Sequence, residues 1–87
     1  MSSLDTDLQK AEAKLALFLD AEDRVVNGGQ SMTIDDGDMR RTVTRADARW
    51  IASRIAYWRS EVARLKAAIQ AEVYGRKPRR GIYVRPM

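Results

Sequence analysis

The sequence has no cysteine and no histidine among its 87 residues. Disulfide scaffolds, thiol catalysis, Cys- or His-based zinc and haem sites, and histidine-dependent dyads and triads are therefore excluded. Nor is there an unbroken apolar run of the ~18 residues that a membrane span needs. The first residues, Met-Ser-Ser-Leu-Asp-Thr-Asp, lack the basic and apolar regions of a signal peptide, so the default compartment is the cytoplasm. Glycine-rich phosphate loops are absent, and Gly28-Gly29 reads as a helix stop. A chain this short forms at most one small domain, with a thin core. Its hydrophobic fraction of 45% is that of a globular chain, not a disordered one.

The charge is unevenly spread. Residues 1–74 carry 11 basic and 12 acidic side chains. Residues 75–87 carry five basic side chains (Arg76, Lys77, Arg79, Arg80 and Arg85) and no acidic one. The net +4 therefore belongs to the C-terminal tail. Within the body, residues 1–26 have a net charge of −3 and residues 45–74 a net charge of +3. Such segments can attract each other within one molecule or between neighbouring copies. Alternatively they are two solvated helix faces, since exposed ion pairs contribute at most about 1 kcal/mol each.

Leu4, Leu8, Ala11, Leu15, Phe18, Ala21 and Val25 recur every three or four residues, which predicts a first helix of about 20 residues. Thr6 with Gln9 fits a capping box, and Ser3 is a competing cap one turn earlier that would bring Leu4 into the helix. Asn27-Gly28-Gly29 is expected to end it through a left-handed residue. Two short runs follow, Gln30 to Ile34 and Met39 to Val43, around Asp35-Asp36-Gly37-Asp38. This pattern predicts a β-hairpin with a tight turn of positive φ, which must pack on helices because a lone hairpin is marginal in water. Thr44-Arg45-Ala46-Asp47 then caps a second helix, with Thr44 as the cap and Asp47 in the first turn.

The second helix carries the stripe Ala48, Ile51, Ile55, Trp58, Val62, Leu65, Ile69 and Val73, and Gly75 and Pro78 stop it. A helix of about 30 residues is ~45 Å long and would outrun its partner. The same stripe suits a self-associating coiled coil over residues 48–73 as well as an intramolecular pair of helices. Trp50 and Tyr57 lie beside the stripe. A two-helix core with a small hairpin has difficulty hiding both tryptophans, so Trp50 is expected to stand exposed, and Trp50 and Tyr57 are subunit-interface candidates.

No catalytic, cofactor-binding or metal constellation is legible. Asp35, Asp36 and Asp38 around Gly37 lack the further oxygen ligands and terminal Glu of a calcium loop and read as a solvated turn. Glu61 and Glu72 are isolated helix carboxylates. The chain reads as a non-enzyme that needs no cofactor. In the tail, Arg76, Lys77, Arg79 and Arg80 could neutralise phosphates or form a short localisation address. They could also meet a negative groove while Ile82, Tyr83 and Val84 fill an apolar cleft or add a strand. Docking accounts for the apolar tip and the other two readings do not. A solubilising tail is the remaining reading.

Taken in order, these segments resemble the W-type head-completion proteins, the head–tail joining proteins of long-tailed bacteriophages. The likeness lies in Leu8 to Val26, in Gln30 to Val43, in Thr44-Arg45-Ala46-Asp47, and above all in Arg79-Arg80-Gly81-Ile82-Tyr83-Val84. It spans almost the whole chain and is one of pattern and order more than identity. The resemblance implies an α+β fold of two antiparallel helices with a hairpin between them, in residues 1–74, and an extended basic tail in 75–87. It implies a virion neck protein, assembled in the host cytoplasm, that is not an enzyme. Such a protein binds the portal vertex as a ring after DNA packaging, helps retain the DNA, and presents the surface for the next neck or tail protein. Its partners would be the portal protein, neighbouring copies of itself, that next stopper or tail component, and packaged DNA in the channel, with no membrane. The docking role falls on Arg76, Lys77, Arg79, Arg80, Ile82, Tyr83 and Val84. Arg40, Arg41 and Arg45 at the hairpin base are DNA-facing candidates. Two departures stand out: a longer second helix, and Arg85-Pro86-Met87 beyond the Tyr-Val ending. The alternative function is a small DNA-binding protein with a basic C-terminal arm.

Overall fold

A computed structural model describes residues 3–74. Helix α1 spans Ser3–Ala21 and runs directly into a wider π-helical segment, Glu22–Asn27. Strands β1 (Met32–Asp35) and β2 (Arg40–Val43) form an antiparallel hairpin. A 3-10 turn, Arg45–Asp47, opens helix α2, Ala48–Tyr74. Phe18 meets Trp50 and Arg54, Lys14 meets Trp58, and Lys10 shares a groove with Glu61 and Arg64, so the helices pack antiparallel. The order helix, hairpin, helix is the α+β architecture expected of residues 1–74. The proposed tail, 75–87, lies outside the described residues.

Ser3 already belongs to α1, so Leu4 lies inside the helix and Thr6 stands one turn in instead of capping it. The far end stops where Asn27-Gly28-Gly29 predicts, but its last turn, Glu22–Asn27, is wound as a π-helix instead of an α-helix. Gly28 is right-handed, at φ −92°. Gly29 alone of the Asn27-Gly28-Gly29 run takes positive φ, at 72°. Its amide and that of Gln30 satisfy the Val25 and Arg24 carbonyls at 3.1 and 3.0 Å. The 19 residues of α1 and six of the π segment nearly match the 27 of α2, so α2 outruns its partner far less than its sequence suggests.

The hairpin register pairs Met32 with Val43, Thr33 with Thr42, Ile34 with Arg41 and Asp35 with Arg40. Alternation then puts Ile34 and Val43 inward and the Thr33–Thr42 pair outward, with their hydroxyls 3.0 Å apart. Gly37 has φ 92° and no other residue of the turn has positive φ. The Asp-Gly pair therefore gives the expected tight turn, with the glycine as the one left-handed residue. The aspartates serve that turn: Asp35 accepts the Gly37 amide at 3.1 Å, and Asp36 accepts the Asp38 and Met39 amides, each at 3.0 Å.

The core lies at the hairpin end of the helix pair. Phe18, Ala21, Val25, Ile34, Val43, Ile51 and Ile55 form one cluster, and Leu15, Met32, Met39, Trp50 and Trp58 pack on its border. Toward the other end the buried apolar contacts thin to Ala11 and Leu65, and Val73 and Tyr74 are 57% and 61% exposed. The α2 stripe is thus spent on α1 and the hairpin over its first half and loses cover toward its end. Over Ile51 and Ile55 the stripe is buried within one copy, so a coiled coil over all of residues 48–73 would have to displace α1 and the hairpin there.

Candidate functional site

Thr44 and Asp47 start α2 as a reciprocal cap. The Thr44 hydroxyl accepts the Ala46 amide at 3.3 Å, and Asp47 Oδ2 accepts the Thr44 amide at 2.9 Å. That amide, first of all, holds the Asp47 carboxyl below the usual aspartate range, with the Arg41 guanidinium adding to it. Asp47 Oδ1 takes Arg41 Nη2 at 2.9 Å, and this fixes the guanidinium over the Trp50 ring, 4.3 Å from its centroid. Trp50 in turn meets Phe18 edge-on, with centroids 5.7 Å apart and planes at 74°. Helix cap, hairpin strand and helix face are joined through one tryptophan.

Four residues further along α2, Arg54 faces three rings. Its guanidinium lies 4.9 Å from the Tyr57 centroid and 5.8 Å from those of Phe18 and Trp58. Tyr57 and Trp58 pack edge to face at 4.9 Å. The next cation is Lys14, 5.0 Å from the Trp58 ring, whose Nζ donates to Asp38 Oδ2 at 2.7 Å. Lys14 thereby ties the hairpin tip to both helices, and its hydrogen bond holds the Asp38 carboxyl below its ordinary value. The result is a band of alternating cations and rings, Arg41–Trp50–Phe18–Arg54–Tyr57/Trp58–Lys14, across the hairpin side of the molecule.

Two of these cations are matched by carboxylates and one is not. Arg41 has Asp47 and Lys14 has Asp38, whereas Arg54 has ring contacts but no carboxylate partner among the described residues. Trp58 Nε1 is also buried without an acceptor. Beyond Trp58 an open groove of about 220 Å³ runs between α1 and α2, lined by Asp7, Lys10, Lys14, Glu61 and Arg64 among others. Glu61 there accepts both Arg64 Nη2 at 2.9 Å and Arg64 Nε at 3.2 Å, which lowers the glutamate's pKa and raises the arginine's. Within the band, Arg54 is thus the cation that could receive a carboxylate or another anion beside aromatic surface.

The sequence candidates fall differently on this surface. Trp50 is half-buried against the core and covered by Arg41, so it is not the exposed tryptophan expected of it. Trp58 is half-buried as well. The hairpin and Phe18 supply cover that the helices alone would lack. Tyr57, 48% exposed, is the aromatic candidate that faces outward. Of the DNA-facing candidates, Arg41 is held by Asp47 and Trp50, and Arg45 donates from Nε to the Val26 carbonyl at 3.3 Å, closing the end of the π segment. Arg40 is exposed on β2. Arg76, Lys77, Arg79, Arg80, Ile82, Tyr83 and Val84 lie outside the described residues. Sequence reasoning missed Arg54 and Lys14. For Arg54 a signal existed, because Trp50, Tyr57 and Trp58 stand at i−4, i+3 and i+4 from it. For Lys14 none existed, since Asp38 is reached only through the hairpin.

No group of three acidic side chains converges among the described residues. No described helix is long and apolar enough to cross a membrane. No curated protein and no solved structure matches the chain. A family model does, over residues 1–85, and the chain belongs to that family, described as a family of unknown function (DUF6148).

Proposed function

We propose that the protein is a structural connector of a phage neck. In this reading it binds the portal vertex as a ring after DNA packaging, helps retain DNA, and presents the attachment surface for the next neck or tail component. The observation that carries the reading is the helix–hairpin–helix fold, built at the segments that resemble the head-completion proteins and closed by the Thr44–Asp47 cap. The Arg79-Arg80-Gly81-Ile82-Tyr83-Val84 run then follows that fold in the sequence. Its basic residues suit an acidic groove and its apolar tip suits a cleft, so residues 76–84 are assigned the docking role. Arg41 and Arg45, being engaged within the fold, leave Arg40 as the body's candidate toward channel DNA.

The test is capture of the purified protein on assembled portal rings from the phage or prophage that encodes it, with duplex DNA in parallel. Full-length protein and protein ending at Tyr74 are compared, with circular dichroism to check that both fold. Portal capture that disappears on truncation, with little DNA retained, is the expected result. Portal capture unchanged by truncation removes the docking role from the tail. DNA retention without portal capture replaces the connector by the alternative, a small DNA-binding protein with a basic arm.

A further inference from the structure

Several charges have no ion-pair partner among the described residues, and two sets of them lie on different faces. Arg54 is one: it is half-buried, ordered by Phe18, Tyr57 and Trp58, and has no carboxylate partner among the described residues. A guanidinium stacked in this way has already lost much of its rotamer freedom and part of its hydration, yet its N–H fork still lacks an acceptor. Tyr57 beside it is 48% exposed and offers aromatic surface at the same place. Among the carboxylates of the acidic N-terminal segment, Glu12 and Asp23 are complementary to Arg54 in charge. Both are exposed and neither forms an ion pair among the described residues; Glu12 lies on α1 and Asp23 about three turns on, in the π segment that continues it. By contrast, Asp20 is held by Arg24 at 3.1 Å, and Glu61 by Arg64.

One molecule cannot join these two sets. Arg54 reaches α1 on its Phe18 side, and Glu12 points about a third of a turn away from Phe18 around the helix. We propose that Arg54 and Tyr57 receive the acidic outer face of α1 and its π continuation, Glu12 and Asp23, from a second copy of the chain. This deepens the connector reading by naming the contact between neighbouring copies, and it rests on that reading. The contact is heterologous, because the surface that receives differs from the surface that is received. Repetition of such a contact closes a ring when the rotation permits and otherwise runs on as a filament. Arg54 supplies a paired fork for one carboxylate at a time, with Tyr57 excluding water around it.

The test needs no portal. Sedimentation equilibrium of the full-length protein is run up to about 1 mM at low and high salt, on wild type, Arg54→Gln and the double variant Glu12→Gln/Asp23→Asn. Wild type is expected to self-associate at low salt and to lose most of that association at high salt, as exposed charge contacts do. Each variant is expected to raise the dissociation constant at least about tenfold, a 1.4 kcal/mol change. An equimolar mixture of the two is expected to form heterodimers and stop at two copies. In that mixture one intact acidic face meets one intact Arg54 face, and nothing is left to extend the chain. The acidic-face variant alters exposed side chains that form no ion pair among the described residues, so it reports on the contact even if Arg54→Gln loosens the aromatic band. Wild-type protein that stays monomeric at 1 mM and low salt overturns the proposal. So do variants that associate like wild type, and a mixture that does not pair. Duplex DNA binding that is lost in Arg54→Gln assigns the guanidinium to phosphate instead and also overturns it. Portal capture is scored separately: if it persists while self-association fails, only the assigned contact falls.

Discussion

Single side chains decide how the three elements are fastened. Thr44 satisfies the Ala46 amide at the start of α2 while Asp47 returns the bond, so Thr44→Ala leaves that one donor unmatched and is expected to cost about 1 kcal/mol. Urea unfolding checks it through a lowered midpoint at unchanged slope. Asp38 and Asp47 make a second expectation, for acid. Both carboxyls are held below the ordinary aspartate value of 3.8, Asp38 by Lys14 and Asp47 chiefly by the Thr44 amide. A depressed folded-state pKa contributes stability that is complete above the unfolded value and is lost as pH falls through the folded one. The thermal midpoint is therefore expected to drop as pH falls below the ordinary aspartate value. The drop should be shallower in Asp38→Asn, whose starting stability is already reduced by loss of the Lys14 tie. An acid limb identical in wild type and Asp38→Asn would remove Asp38 from the account. Asp38 is solvent-exposed and tied to a lysine, so its contribution is expected to shrink with added salt.

At the scale of elements, the decisive joint is the one between α1 and the hairpin. Gly29 holds φ 72°, and a Cβ built there comes within 2.9 Å of the Arg45 guanidinium, which itself donates to the Val26 carbonyl. Gly29→Ala is expected to cost about 1–2 kcal/mol from the left-handed backbone alone. It should also push Arg45 off that carbonyl. Arg45→Ala added to Gly29→Ala should then cost less than it does in wild type, a coupling that a double-mutant cycle by urea unfolding measures directly. Much of this architecture was legible from local signals. Helical spacing marked Ala11, Phe18, Ile51, Ile55 and Leu65, alternation marked Ile34 and Val43, and Thr44-Arg45-Ala46-Asp47 marked the cap. The π segment was not legible, because its spacing differs from an α-helix only by a slight widening, and Val25 satisfies both periods. The placement of Trp50 was misread for another reason. Its neighbours Phe18 and Arg41 come from other elements, and no periodicity within α2 announces a ring edge or a guanidinium from elsewhere. The candidate site shares that difficulty. Arg54 was marked by its own helix and overlooked, whereas the Lys14–Asp38 tie needs the tertiary structure.

Across the whole molecule, stability is distributed along the helix pair rather than evenly. The cluster of Phe18, Ala21, Val25, Ile34, Val43, Ile51 and Ile55 occupies the hairpin end, where two helices and a hairpin close on each other. At the opposite end only the two helices meet, with Ala11 and Leu65 buried and Val73 and Tyr74 largely exposed. Fewer buried apolar contacts mean a smaller free energy for local opening. Amide hydrogen exchange is therefore expected to be slowest over residues 51–58 and to quicken through 66–74, with the early turns of α1 following the end of α2. Uniform protection along α2 would refute this gradient and require another source of cover for the distal end. The gradient bears on the connector reading, because residues 75–87 continue from the less protected end. A portal that engages that segment would extend order backward into the last turns of α2, since helix propagation adds one bond per residue fixed. Exchange on the portal-bound protein is then expected to slow most over 66–74 and little over 51–58. Slowing confined to 51–58 would instead place the engaged surface at the Arg54–Tyr57 band, and the tail would lose its assigned role.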